Sequence, residues 1–150
     1  MKQIPYLGCG SLFLCSARTA HEAEAVHKPK IMLCITRGQA PSSMVLWQHH
    51  SHDASGQPNR LIESLSPSWA ILNKYNSSRR DEMAWKEYVY GWHLEKDESH
   101  TYNRSIARIC DHLQAGKNVV LGCFCPSESK CHRFLVAEAV EEEMNKRLAQ

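Results

Sequence analysis

The run Asn118-Val119-Val120-Leu121-Gly122-Cys123-Phe124 is apolar and rich in β-branched residues, the composition of a strand buried on both faces. Six residues later, at about Cys131, a helix begins and reads to Leu148. Its Glu142–Lys146 and Glu143–Arg147 pairs are in the favourable i,i+4 order, and its basic residues sit near the end that suits the helix dipole. A buried strand passing through a short loop into a helix is a unit of layered α/β architecture, in which parallel strands are separated by helices.

The rest of the chain fits that scheme. Tyr6–Leu14 reads as a first strand, Thr19–Val26 as one or two helical turns ended near Pro29, and Ile31–Ile35 as a buried strand. Beyond it, Thr36-Arg37-Gly38 places polar groups at a strand end, where open α/β sheets bind ligands. Ser66-Pro67 is a helix-start signal followed by Trp69, Leu72 and Tyr75. A helix is expected over Asp81–Lys96, with Met83, Ala84, Tyr88 and Trp92 near helical spacing and Trp85 and Val89 alongside; these aromatics are assigned to the core. Another runs from Thr101 to Gln114, with Tyr102, Ile106, Ile109, Cys110 and Leu113 on one face and Gly116 ending it. The expected fold is therefore a single α/β domain over residues 1–150, Rossmann-like, with a mostly parallel sheet flanked by helices.

His49 to Asn59 is the most loop-like stretch. His49, His50, His52 and Asp53 are suitable metal ligands in type, but nothing in their spacing puts them on one face. The segment reads as a solvated loop insertion that folding does not need.

Composition narrows the classes of function. A chain of 150 residues builds one core, and no segment approaches the ~20 consecutive apolar residues of a bilayer span, so no membrane partner is expected. A net charge of +2 without a run of Lys or Arg leaves duplex nucleic acid unsupported as a partner. Lys2 and Leu12-Phe13-Leu14 before Cys15 have the outline of a signal peptide, but Gly8, Gly10 and Ser11 break its apolar centre and a strand fits better. Seven cysteines are odd in number and lack the spacing of a secreted disulfide framework. That usage points to a reducing, cytoplasmic setting, where a local cysteine cluster serves metal, catalysis or redox chemistry.

Such a cluster is present. Cys123, Cys125, Cys131, His132 and Arg133 fall within eleven residues around the loop that precedes the last helix. Three readings compete. A zinc site would use Cys123, Cys125, Cys131 and His132, but paired knuckles are missing, and on a helix Cys131 and His132 would diverge by about 100°. A reactive-cysteine site would take Cys125 or Cys131 as nucleophile and His132 as acid or base. A packing role would make the thiols small buried hydrophobes, which leaves the Cys-His-Arg turn unexplained. The balance favours free thiols over a permanent metal cage. Arg133, opening a helix whose free N–H groups favour anions, is expected to hold an anionic ligand, against the alternative of pairing with Asp81 or Glu82.

Ser66-Pro67-Ser68-Trp69, Tyr75, Trp85-Lys86-Glu87-Tyr88, Val119 to Cys125 and Cys131-His132-Arg133-Phe134-Leu135 together resemble the domain of unknown function 488 family, especially its short archaeal and viral-type members. The resemblance spans Leu65 to Val140; Ile35-Thr36-Arg37 resembles the family's early strand end, and residues 1–60 otherwise match poorly. It implies a compact Rossmann-like fold with a polar cleft at the Cys-His-Arg turn, and it brings no agreed reaction or cofactor.

The leading expectation is a small enzyme, or enzyme-like sensor, that binds an anionic small molecule such as a nucleotide or nucleotide fragment. Cys125, Cys131 and His132 would carry the chemistry. Thr36, Arg37, Ser68, Trp69, Cys123 and Arg133 would hold the ligand. The alternatives are a non-enzymatic ligand- or protein-binding accessory module of viral or defence type, and a zinc-stabilised interaction domain. Inert thiols with intact ligand binding would mark the module.

Overall fold

The computed structural model describes residues 1–150 and builds one five-stranded sheet. The strands are β1 (Lys2–Ile4), β2 (Leu12–Ser16), β3 (Lys30–Cys34), β4 (His49–His50) and β5 (Asn118–Cys123), in the order β1-β2-β5-β3-β4. Four of them are mutually parallel; only β1 runs antiparallel, against β2. Five helices complete the fold: α1 (Arg60–Glu63), α2 (Trp69–Asn76), α3 (Glu82–Lys96), α4 (His100–Gln114) and α5 (His132–Leu148). The chain is thus a single α/β domain of Rossmann-like architecture. No helix is long and apolar enough to cross a membrane.

Strand alternation divides the core. Leu12 and Leu14 of β2, Leu33 of β3, and Val119, Leu121 and Cys123 of β5 face the larger core with Trp92 of α3, Ile109 and Leu113 of α4, and Val136 and Val140 of α5. The intervening Cys15, Cys34 and Val120 face a smaller core. There the cover is not an α-helix. Two 3-10 turns, Ala20–Ala25 and Ser42–Met44, lie over the sheet with Trp47. Gly122 makes this possible, because a Cβ at that position would stand 2.4 Å from the Trp47 ring. The ring therefore sits directly against the β5 backbone.

Helix starts follow cap chemistry. Ser68, Asp81 and Ser99 accept hydrogen bonds from the amides of Ile71, Ala84 and Tyr102 and so open α2, α3 and α4. Ser66, expected to cap, is instead wholly buried, and its hydroxyl donates to the Ile35 carbonyl at 2.8 Å.

The first expected strand is two pieces. Pro5 has no N–H to give, Gly8 turns the chain with φ +74°, and the pairing segments are Lys2–Ile4 and Leu12–Ser16. The His-rich segment also departs from expectation. His49–His50 extends the sheet as β4, and Ser51, 1 % exposed, donates its hydroxyl to the Thr36 carbonyl and its amide to Cys34. His50 Nε2 lies 2.9 Å from the Met44 carbonyl, and Asn59 caps α1. His49 and the stretch from Asp53 to Asn59 are exposed, and the turn is closed by the Asp53 carboxylate on the amides of Ser55 and Gln57. Two deletions should therefore behave differently in thermal melts. Removing residues 54–57 should change the melting temperature by only a few degrees. Removing 49–59 takes away an edge strand and a buried hydroxyl, and should lower stability by about 3 kcal/mol or more. Equal melting temperatures would return the whole segment to the status of an insertion.

Candidate functional site

β5 ends at Cys123 in the middle of the sheet, and the chain must return within a few residues to start α5 beside it. Local hydrogen bonds enforce that return. The Phe124 amide donates to Thr36 Oγ1 at 3.2 Å, and the Ser127 hydroxyl accepts from the Lys130 amide at 2.9 Å. Arg133, in the first turn of α5, donates to the carbonyls of Cys125 at 2.8 Å and Ser127 at 2.6 Å. The loop is pinned from inside.

Cys131 is the residue before the helix, not its first turn: its backbone is extended at φ −150° and ψ 148°. The divergence of about 100° between adjacent side chains holds only when both residues are helical. Here Cys131 Sγ and His132 Nδ1 come within 3.8 Å of each other. Cys123 Sγ lies 3.4 Å from Cys131 Sγ and 3.7 Å from the same nitrogen. All three residues are buried, at 3 %, 3 % and 5 % exposure.

The other edge of the imidazole fixes its proton. His132 Nε2 lies 2.7 Å from the Ile35 carbonyl, which only accepts, so Nε2 carries the hydrogen and the Nδ1 lone pair faces the two sulfurs. Ile35 is held in turn by the Ser66 hydroxyl, and the Ser66 carbonyl accepts from Lys96 Nζ at 2.6 Å. Burial pushes the Lys96 ammonium down to about 8, although Glu95 pulls the other way. This buried chain of contacts sets the ring's orientation from the side opposite the thiols.

Cys125 has a different environment. A hydrogen bond to Cys131 and burial push its thiol well above the usual thiol range, despite the nearby Arg133 charge. It stays protonated and lines the wall, outside the three-atom cluster.

Above the cluster lies a cleft of about 560 Å³ at the carboxyl ends of β3 and β5. Its floor is Cys123, Cys131 and His132, and Thr36 and Cys125 stand at the side. One wall is aromatic: Trp85 stacks on the buried Tyr88 at 4.9 Å and 15°, and Tyr75 meets Trp85 edge-on at 5.7 Å. Arg37, Arg80 and Lys130 bring three cations to the lining, and no Asp or Glu lines it. Arg37 pairs with Glu63 at 3.4 Å and donates to the Pro67 carbonyl, and Lys130 pairs with Glu82 at 2.8 Å. The Arg80 guanidinium bonds only the neutral side-chain amide of Asn76, so its charge is free for a ligand. A groove of about 580 Å³ between α4 and α5 is lined by several carboxylates and lacks any cluster of thiols.

Several sequence expectations change against this geometry. Arg133 is 2 % exposed, does not line the cleft and has its fork on loop carbonyls, so it shapes the site instead of holding an anion. Neither Asp81 nor Glu82 pairs with it. Ser68 caps α2, and Trp69 is half exposed with its ring 6.0 Å from the Arg37 guanidinium; neither lines the cleft. Thr36, Arg37, Cys123, Cys125, Cys131 and His132 do line it. Sequence reasoning missed Tyr75, Trp85 and Arg80 as lining residues, because helical spacing assigns aromatics to a core and the Arg79-Arg80 turn lies far away in sequence. The signal available was Arg79-Arg80 directly before the Asp81 cap, between two aromatic-bearing helices.

Compared with known families, residues 36–144 match the family described as the active DUF488-N3 subclade. No curated protein and no solved structure matches. The match reaches back past Leu65 to Thr36 and so takes in every residue that lines the cleft, from Thr36 to His132. It covers nearly three quarters of the sequence. The chain belongs to the active DUF488-N3 subclade of the domain of unknown function 488 family.

Proposed function

We propose that the protein is an enzyme that binds a small anionic molecule with a planar aromatic part, of the nucleotide class, and acts on it with the Cys123–Cys131–His132 centre. One observation carries this reading: a cleft with three cations and no carboxylate, walled by stacked aromatics, opens directly over a cluster of two thiols and an oriented imidazole. Its place at the carboxyl ends of parallel strands is where open α/β sheets receive ligands. The description of the subclade as active supports catalysis over passive binding. Arg80, with no carboxylate partner, takes the anion. Trp85, backed by Tyr88, offers a stacking face. Cys123, Cys131 and His132 Nδ1 together form the centre that meets the bound molecule, and Cys125, kept protonated, donates to the Lys130 carbonyl beside it. Free thiols at the floor suit a reducing, cytoplasmic setting.

Calorimetry with nucleoside monophosphates and the matching nucleosides tests it. The monophosphates should bind more tightly, and Arg80→Ala should remove that preference, weakening binding about tenfold or more through one lost charged hydrogen bond. Trp85→Ala should weaken both ligand types. Equal binding of nucleoside and nucleotide, or an Arg80→Ala protein with unchanged affinity, would discard the nucleotide reading.

A further inference from the structure

We propose that Cys123, Cys131 and His132 form a metal site for a soft divalent ion of the zinc type, with three protein ligands and a fourth position open to the cleft. Mutual spacing is the first argument. An ion held tetrahedrally by sulfur at about 2.3 Å and nitrogen at about 2.0 Å sets ligand edges of about 3.8 Å between sulfurs and about 3.5 Å between sulfur and nitrogen. The observed edges are 3.4 Å for the sulfur pair and 3.7 and 3.8 Å for sulfur to Nδ1. All three atoms therefore fit around one ion with shifts of a few tenths of an ångström.

Orientation is the second argument. A metal-binding imidazole needs its lone pair on the coordinating nitrogen, and a second-shell acceptor on the other nitrogen fixes that tautomer. The Ile35 carbonyl does this for His132, and the Ser66 hydroxyl holds the same carbonyl. Charge is the third. Two thiolates and a neutral imidazole around a divalent ion make a neutral centre, the form that burial tolerates. Finally, the same three residues line the cleft, so the coordination position they leave open faces the ligand space. Three ligands and an open position mark metal sites that do chemistry, whereas structural sites close with four. The proposal deepens the enzyme reading, because the ion would supply the reacting centre at the cleft floor.

The full chain, purified under reducing conditions without added metal, is analysed for its elements, and then stripped and titrated with cobalt. About one zinc-type ion per chain is expected, together with the intense near-ultraviolet absorption of thiolate bound to cobalt. Cys131→Ser should lower the cobalt affinity at least tenfold, and Cys125→Ser should keep the ion. The cobalt spectrum of the unaltered protein needs no variant to fold. Metal-free protein that shows no thiolate–cobalt absorption would overturn the site, as would a Cys123–Cys131 disulfide in freshly reduced protein. Loss of the ion in folded Cys125→Ser would overturn its open fourth position. Nucleotide calorimetry on the same samples separates the two proposals: an ion without nucleotide binding sinks the nucleotide reading alone, and nucleotide binding without an ion sinks the metal site alone.

Discussion

Arg133→Ala should lose about 2–4 kcal/mol of stability in urea denaturation, more than any single change at the rim of the cleft. The guanidinium is buried and supports two carbonyls of the 124–130 loop. A charged hydrogen bond is worth about 1.5–3 kcal/mol, and removing the donor leaves both carbonyls without a partner. Relief of burying a cation that no carboxylate offsets returns part of that loss. With the clamp gone, the turn that brings Cys131 back to Cys123 slackens, so the reactivity of the cluster should fall together with stability. Arg133→Lys should recover only part of both, since an ammonium lacks the planar fork that spans two carbonyls. An alanine variant of unchanged stability that binds no anion would restore Arg133 to the role of ligand holder.

Alkaline pH should weaken the fold by several kcal/mol, with the fall beginning near pH 9. Burial pushes the Cys15 and Cys110 thiols from 9.0 up to about 12, and the Tyr6 phenol from 10.0 up to about 12. In the unfolded chain these thiols release protons from pH 9, while the folded chain keeps them. The unfolded state then binds fewer protons, so stability present below pH 9 is lost as pH climbs toward 12. Lys96 acts oppositely. Its folded form releases a proton near 8 and its unfolded form near 10.5, so it adds stability across that window. The sum predicts greatest stability around pH 8–9 and a steep fall beyond. Urea midpoints measured from pH 7 to 11 check it. A Cys15→Ala, Cys110→Ala double variant should flatten the alkaline limb; an unchanged slope would show that these thiols do not drive it.

What the sequence makes legible depends on the range over which each signal acts. α4, β5 and α5 lie within a residue or so of their expected bounds, because periodicity, caps and β-branching are local. β4 was hidden because a two-residue edge strand carries no pattern; it exists through Ser51 and the β3 backbone. The Cys-His-Arg turn is legible as a cluster of residue types, but its geometry is not. Whether Cys131 and His132 converge depends on one backbone angle at the helix boundary, the place where sequence signals are weakest. The aromatic wall was hidden for a different reason. Tyr75 and Trp85 sit on separate helices at ordinary core spacing, and only tertiary packing leaves them beside a cleft.

β5 lies between β2 and β3, yet it is the last strand to leave the ribosome, with Leu12 pairing to Val119 across more than a hundred residues. Until residues 118–123 emerge, β2 and β3 have no shared neighbour, and each presents unpaired backbone toward a missing strand. Pairings over such separations form slowly. A growing chain therefore carries an open slot at the centre of its sheet for most of its synthesis, exposed to pairing with other chains. The strand that fills the slot also delivers Cys123, and α5 follows it with His132. The cluster of Cys123, Cys131 and His132 thus cannot form in a partly made protein: it is assembled by the event that completes the sheet.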